Sequence, residues 1–82
     1  MRVIGYLRSD FVPRGSTEEI RGFNVYLTVP VDQSVGKGVA ADRVYLSQRR
    51  LDMDGIDISS LVGKEIDVIY NRNGKIAKIK LI

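Results

Sequence analysis

Residues 65–82 read Glu-Ile-Asp-Val-Ile-Tyr-Asn-Arg-Asn-Gly-Lys-Ile-Ala-Lys-Ile-Lys-Leu-Ile, and this stretch decides the fold class. Two alternating runs flank Asn73-Gly74, the dipeptide best suited to a two-residue hairpin turn, because both central positions of that turn take positive φ. Counting outward from the turn puts Tyr70 opposite Ala77, Val68 opposite Ile79 and Ile66 opposite Leu81 on one side of the ribbon. On the other side Ile69 faces Lys78, Asp67 faces Lys80 and Glu65 faces Ile82. This register gathers apolar residues together and sets an acid against a base, a pair worth about 0.2–1 kcal/mol. A slip of one residue would undo both matches.

Working back along the chain, Gly22–Val29 alternates, with Phe23, Val25, Leu27 and Val29 on one face and Asn24, Tyr26 and Thr28 on the other; Pro30 marks its end. The run Asp42–Ser47 turns Val44 and Leu46 inward and Arg43, Tyr45 and Ser47 outward. In the first run, Val3, Gly5 and Leu7 share one parity, and Ile4 and Tyr6 share the other with Arg2 and Arg8. The connections Ser9–Arg21 and Val31–Ala41 exceed the usual length of about four to six residues, which marks them as candidates for function. Gln48–Met53 allows one helical turn. Ser59–Val62, capped by a serine and closed by Gly63, allows another. The expectation is a mostly β chain forming one small domain over residues 1–82. Its five strands would make an antiparallel barrel or strongly twisted sheet, SH3- or OB-like in outline, with one or two short helical turns.

Composition narrows the chemistry. Of the 82 residues 44% are apolar and 28% charged, which excludes disordered and low-complexity classes. A chain of this size buries roughly 60–65% of its unfolded surface, enough for one thin core but not for a deep dry cavity as well. There is no histidine and no cysteine, which removes the commonest general base, the thiol nucleophile, the commonest zinc ligands and any disulfide. The acids Asp52, Asp54 and Asp57 miss the alternation of a calcium loop: glycine falls at the fourth place, an acid at the sixth and Gly63 at the twelfth. Gly36-Lys37-Gly38 lacks both the upstream glycine and the following hydroxyl of a phosphate loop. Ser47, Ser59 and Ser60 have no histidine to activate them. A non-enzymatic protein with no catalytic residue, metal or cofactor is therefore expected. No apolar stretch approaches the roughly 18 residues of a membrane span, and with neither an export signal nor cysteine the expected location is the cytoplasm.

The formal net charge of +3 hides a segregated layout. Residues 51–68 carry five acids against Lys64 alone, whereas residues 69–82 carry Arg72, Lys75, Lys78 and Lys80 with no acid. Segments of opposite sign are expected to meet in the fold and leave a smaller basic excess elsewhere. Strand parity suggests where. Tyr6 sits with Arg2 and Arg8, Tyr26 with Asn24 and Thr28, and Tyr45 with Arg43 and Ser47, while Arg49 and Arg50 follow directly. Rings among guanidinium groups on one sheet face suit single-stranded DNA or RNA, whose bases stack and whose phosphates need cations. Tyrosine also covers half-buried sheet surface whatever the function, so the same residues fit a purely structural role. A second expectation is a protein-association or homodimer patch formed by Ile69, Ile76 and Ile82, left outward on the C-terminal hairpin together with Ile4 on the first strand.

Overall fold

The structure, a computed structural model, describes residues 1–82. In chain order it contains β1 (Arg2–Arg8), β2 (Gly22–Pro30), β3 (Val39–Ser47), α1 (Gln48–Asp54), a 3-10 turn at Ile58–Leu61, β4 (Ile66–Tyr70) and β5 (Ile76–Leu81). The first three strands form an antiparallel sheet in sequence order, and β4 and β5 form a separate antiparallel hairpin. No helix is long and apolar enough to cross a membrane.

The two sheets are joined where β1 begins. Arg2 bridges Glu65 in antiparallel sense, the Val3 amide donates to the Lys64 carbonyl at 3.0 Å, and the Ile66 amide donates to the Met1 carbonyl at 2.8 Å. β4 therefore departs antiparallel to β1, which gives β5 the same sense as β3. No ladder joins β3 to β5, so the sheets do not close into a barrel.

Between the sheets lies one apolar cluster. Val3, Phe23, Val25, Leu27 and Leu46 come from the three-stranded sheet, Leu51 from α1, Leu61 from the 3-10 turn, and Ile66 and Ile79 from the hairpin. The β2 alternation holds as read: Phe23, Val25 and Leu27 are buried and Tyr26 is exposed. β3 begins at Val39, three residues before the alternating run, because Val39, Ala40 and Ala41 pair with Pro30, Val29 and Thr28 of the long β2.

Two bulges alter the parities counted from sequence. In β1, Val3 pairs with Leu27 but Gly5 pairs with Tyr26, so Ile4 is an extra residue and everything after it changes face. Tyr6 then lies opposite Val25, on the core side, and meets Phe23 edge-on with centroids 5.5 Å apart. Leu7 goes outward in its place and is exposed. Tyr6 and Arg8 are thus not on the face shared by Tyr26 and Tyr45.

The hairpin keeps the expected register from Ile66–Leu81 to Ile69–Lys78, including Asp67 opposite Lys80. Its turn differs. Asn71 and Lys75 close a three-residue loop: the Asn71 amide donates to the Lys75 carbonyl at 2.7 Å and the Gly74 amide to the Asn71 carbonyl at 3.0 Å. Only Gly74 takes positive φ, at 76°, whereas a two-residue Asn-Gly turn would need it at Asn73 as well. The Asn71 side chain fastens the loop by accepting from the Asn73 and Lys75 amides at 2.9 and 3.0 Å. Tyr70 consequently faces Ile76, not Ala77, and an extra residue at Ala77 restores the register. The bulge also returns Ile76 to the inner side, where it is half-buried against the core. Ile76 is therefore no part of an outward apolar patch, although Ile69 and Ile82 remain exposed.

Both short helical segments form. Ser47 caps α1 by accepting from the Arg50 amide at 3.1 Å. Gly55, in the left-handed region, closes the helix while the Ile56 amide reaches back to the Leu51 carbonyl at 2.8 Å. The 3-10 turn is capped by Asp57 rather than by a serine, its carboxylate accepting from the Ser59 amide at 3.2 Å. The Ser9–Arg21 connection folds on itself, Phe11 and Ile20 exchanging two backbone hydrogen bonds of 2.9 and 2.7 Å.

Candidate nucleic-acid interface

The pairing register defines the outward face of the three-stranded sheet. Across β2 and β3, Asn24 stands opposite Tyr45, Tyr26 opposite Arg43, and Thr28 opposite Ala41; across β1 and β2, Leu7 stands opposite Asn24 and Arg2 opposite Thr28. The strand residues of this face include no carboxylate. Two acids border it: Asp10 at the Tyr45 end, and Glu65, which lies across the edge from Arg2 and is bound by its guanidinium at 3.0 Å. That contact, reinforced by the Met1 amino group, holds the Glu65 carboxyl below the usual carboxylate range.

The two tyrosines on this face differ in freedom. The Tyr26 ring is exposed. Tyr45 is half-buried: its hydroxyl donates to the Ser9 carbonyl at 2.8 Å, lying over Gly22, and its ring packs against Phe11 with centroids 5.5 Å apart at 73°. Burial, helped by the negative charge of Asp10, pushes the Tyr45 phenol above its ordinary pKa, so it remains a proton donor to Ser9. Asp10 accepts from Arg8 Nε at 2.9 Å and from the Gly22 amide at 3.2 Å, which ties the end of β1 to the start of β2. The Arg8 contact is the largest cause of that carboxyl's lowered pKa.

The arginines divide in the same way. Arg43 is exposed and has no carboxylate partner. Arg2 and Arg8 are committed to Glu65 and Asp10. Arg49 lies beside Glu18, Glu19 and Arg21 around a second hollow, where acids share the lining with it. Arg50 reaches the other way and donates from Nη1 to the Ala77 carbonyl of β5 at 2.8 Å, the one hydrogen bond between the β3–α1 segment and the hairpin. Of the eight residues read from sequence as one surface, the fold brings together Tyr26, Arg43 and Tyr45, with Arg2 at the edge and Arg50 at one end.

Where β3 and the hairpin fail to pair, they leave an open cleft of about 480 Å³. Arg43, Tyr45 and Arg50 line one wall, and Tyr70, Lys75 and Ile76 the other; no acid lines it. Sequence reasoning missed Tyr70, assigned to the inner side with Ile66 and Val68, and Lys75, read only as turn. A phenol beside a basic hairpin loop was the available signal. The acidic stretch serves local structure, Asp57 as a cap and Asp52 as acceptor for the Gln48 side chain at 2.8 Å.

No family model, curated protein or solved structure matches the chain.

Proposed function

We propose that this protein is a non-catalytic module that binds single-stranded DNA or RNA across the outward face of β1–β3, with Tyr26 as the main stacking ring and Arg43 as its phosphate contact. The observation that carries this reading is the direct opposition of an exposed tyrosine and an unpaired arginine on a face without carboxylates. Stacking is sequence-tolerant because every base has a π face, and a flanking cation supplies the phosphate attraction. Tyr45, fixed by Ser9 and Phe11, extends the same surface as a rigid neighbour. The strand arrangement gives a second line of support. β1 contacts both β2 and β4, a helix separates β3 from β4, and β3 and β5 share one sense, as an open OB-like barrel would require. Fold alone does not assign function, so the weight rests on Tyr26 and Arg43.

The alternative of a protein interface centred on Ile69, Ile76 and Ile82 has less support, because Ile76 packs against the core and leaves Ile69 and Ile82 without a centre. The decisive experiment titrates fluorescein-labelled (dT)12 and (rU)12 at low salt. Micromolar or tighter binding that weakens with salt supports the proposal. Flat titrations with both overturn it.

A further inference from the structure

We infer that the cleft between β3 and the β4–β5 hairpin holds one nucleotide of the bound strand, its phosphate among Arg43, Arg50 and Lys75 and its base against Tyr70. This inference rests on the nucleic-acid reading above and extends it from a flat face to a defined pocket.

Three observations carry it. The cleft is an open groove of about 480 Å³, room enough for a nucleotide laid along its wall rather than enclosed by it. Its charge is one-sided: three cations line it, none has a carboxylate partner, and no acid stands among the lining residues. Like charges gathered in one hollow repel each other and raise the local concentration of an anion. Arg50 spends one N–H on the Ala77 carbonyl, which aims its guanidinium into the gap and leaves its other donors free.

The lining also contains what a bare anion would not use. Tyr70 is half-exposed, and Ile76 and Val44 add an apolar floor. An aromatic wall, an apolar floor and a cluster of cations together match a base joined to a phosphate better than they match a carboxylate side chain. Arg43 belongs to both the face and the cleft, so a strand crossing Tyr26 meets the pocket without a break in the cationic track.

The test measures (dT)12 affinity against salt for the intact protein and for Tyr26→Ala, Lys75→Ala and Tyr70→Ala, with thermal unfolding as the fold control. Lys75 and Tyr70 are exposed, so their variants are expected to fold. Lys75→Ala should weaken binding several-fold and reduce the slope of log K against log salt by about 0.7, the loss of one phosphate contact on a single strand. Tyr70→Ala should weaken binding about five-fold or more at every salt concentration. If both keep full affinity and slope while Tyr26→Ala weakens binding, the strand stays on the face and the cleft inference is wrong. If both weaken binding while Tyr26→Ala does not, the cleft stands and the face reading falls. A poly-glutamate peptide that displaces (dT)12 from the intact protein, with Tyr70→Ala indistinguishable from it, would show a general anion site and overturn the nucleotide assignment.

Discussion

Tyr26 of β2 and Arg43 of β3 stand directly opposite one another, on a face whose strand residues carry no carboxylate. The geometry leaves the guanidinium without a carboxylate partner and the ring partly open to solvent, although both Arg2 and Arg8 have acids beside them. An exposed cation beside an exposed ring costs the fold little and gains most from a ligand with a planar base and a phosphate.

Tyr26→Ala is expected to cost about 1–3 kcal/mol of oligonucleotide affinity while leaving the unfolding midpoint nearly unchanged. Tyr6→Ala should do the reverse. Tyr6 is as exposed as Tyr26 but lies on the opposite face with its ring edge-on to Phe23, so its loss should lower stability by about 1 kcal/mol and leave affinity intact. Equal binding losses in the two variants would mean that both tyrosines face the ligand.

Gly22 is held to glycine by its neighbours rather than by its backbone. A Cβ there would stand 2.5 Å from the Tyr45 hydroxyl and 2.6 Å from the Leu46 carbonyl oxygen, and the latter is backbone. Gly22→Ala should destabilise by about 1–3 kcal/mol. In a domain of this size each kcal/mol lowers the thermal midpoint by about 4–8 °C. The displaced Tyr45 phenol should also titrate closer to its ordinary value, which ultraviolet difference spectra at high pH would read.

The hairpin loop makes a prediction that separates its three asparagine and glycine positions. Gly74→Ala should cost about 1–2 kcal/mol, because φ is 76° there. Asn71→Ala should cost about 1 kcal/mol through the loss of two amide contacts. Asn73→Ala should change stability by no more than about 0.5 kcal/mol, since its backbone is ordinary in a three-residue loop. A large loss at Asn73 in urea unfolding would point to the two-residue turn instead.

Acid should destabilise the fold through three carboxylates: Asp32, held by the Ser34 amide and hydroxyl, and the two ion-paired groups Asp10 and Glu65. The Asp10 and Glu65 pKa values are both lowered, chiefly by hydrogen bonds from Arg8 and Arg2. The native state thus binds these protons more weakly than the unfolded chain. Their stabilisation is fully present above the ordinary carboxylate pKa of about 4 and is lost as pH falls through the depressed native values. Urea midpoints should decline between about pH 5 and pH 2, less steeply in Asp10→Asn and Glu65→Gln. High salt should flatten the dependence further, because both pairs are open to solvent.

The face of β2 was legible because nothing interrupts its alternation, and Phe23, Val25 and Leu27 fall inward as a period of two demands. The face of Tyr6 was not, because the extra residue at Ile4 reverses the count after it; Gly5, a lone glycine inside a strand pattern, was the one local sign of a bulge, and alternation alone does not use it. In the hairpin two departures cancel. The loop is one residue longer than the Asn-Gly signal implies, and the bulge at Ala77 takes up the difference, so the register away from the turn was right although the turn was not.

Sequence alone therefore determined the existence and order of the five strands, though not the start of β3 at Val39, together with the hairpin pairing from Ile66 to Ile69 and the outward position of Tyr26, Arg43 and Tyr45, since each follows from short-range alternation. Tertiary structure decided which phenols and guanidinium groups are free. Ser9 and Phe11 reach Tyr45, Glu65 reaches Arg2 across 63 residues, and the unpaired edges of β3 and β5 create the cleft that joins Arg43 to Tyr70 and Lys75. Such relations depend on where distant backbones come to lie, and a period of two along one strand carries no record of them.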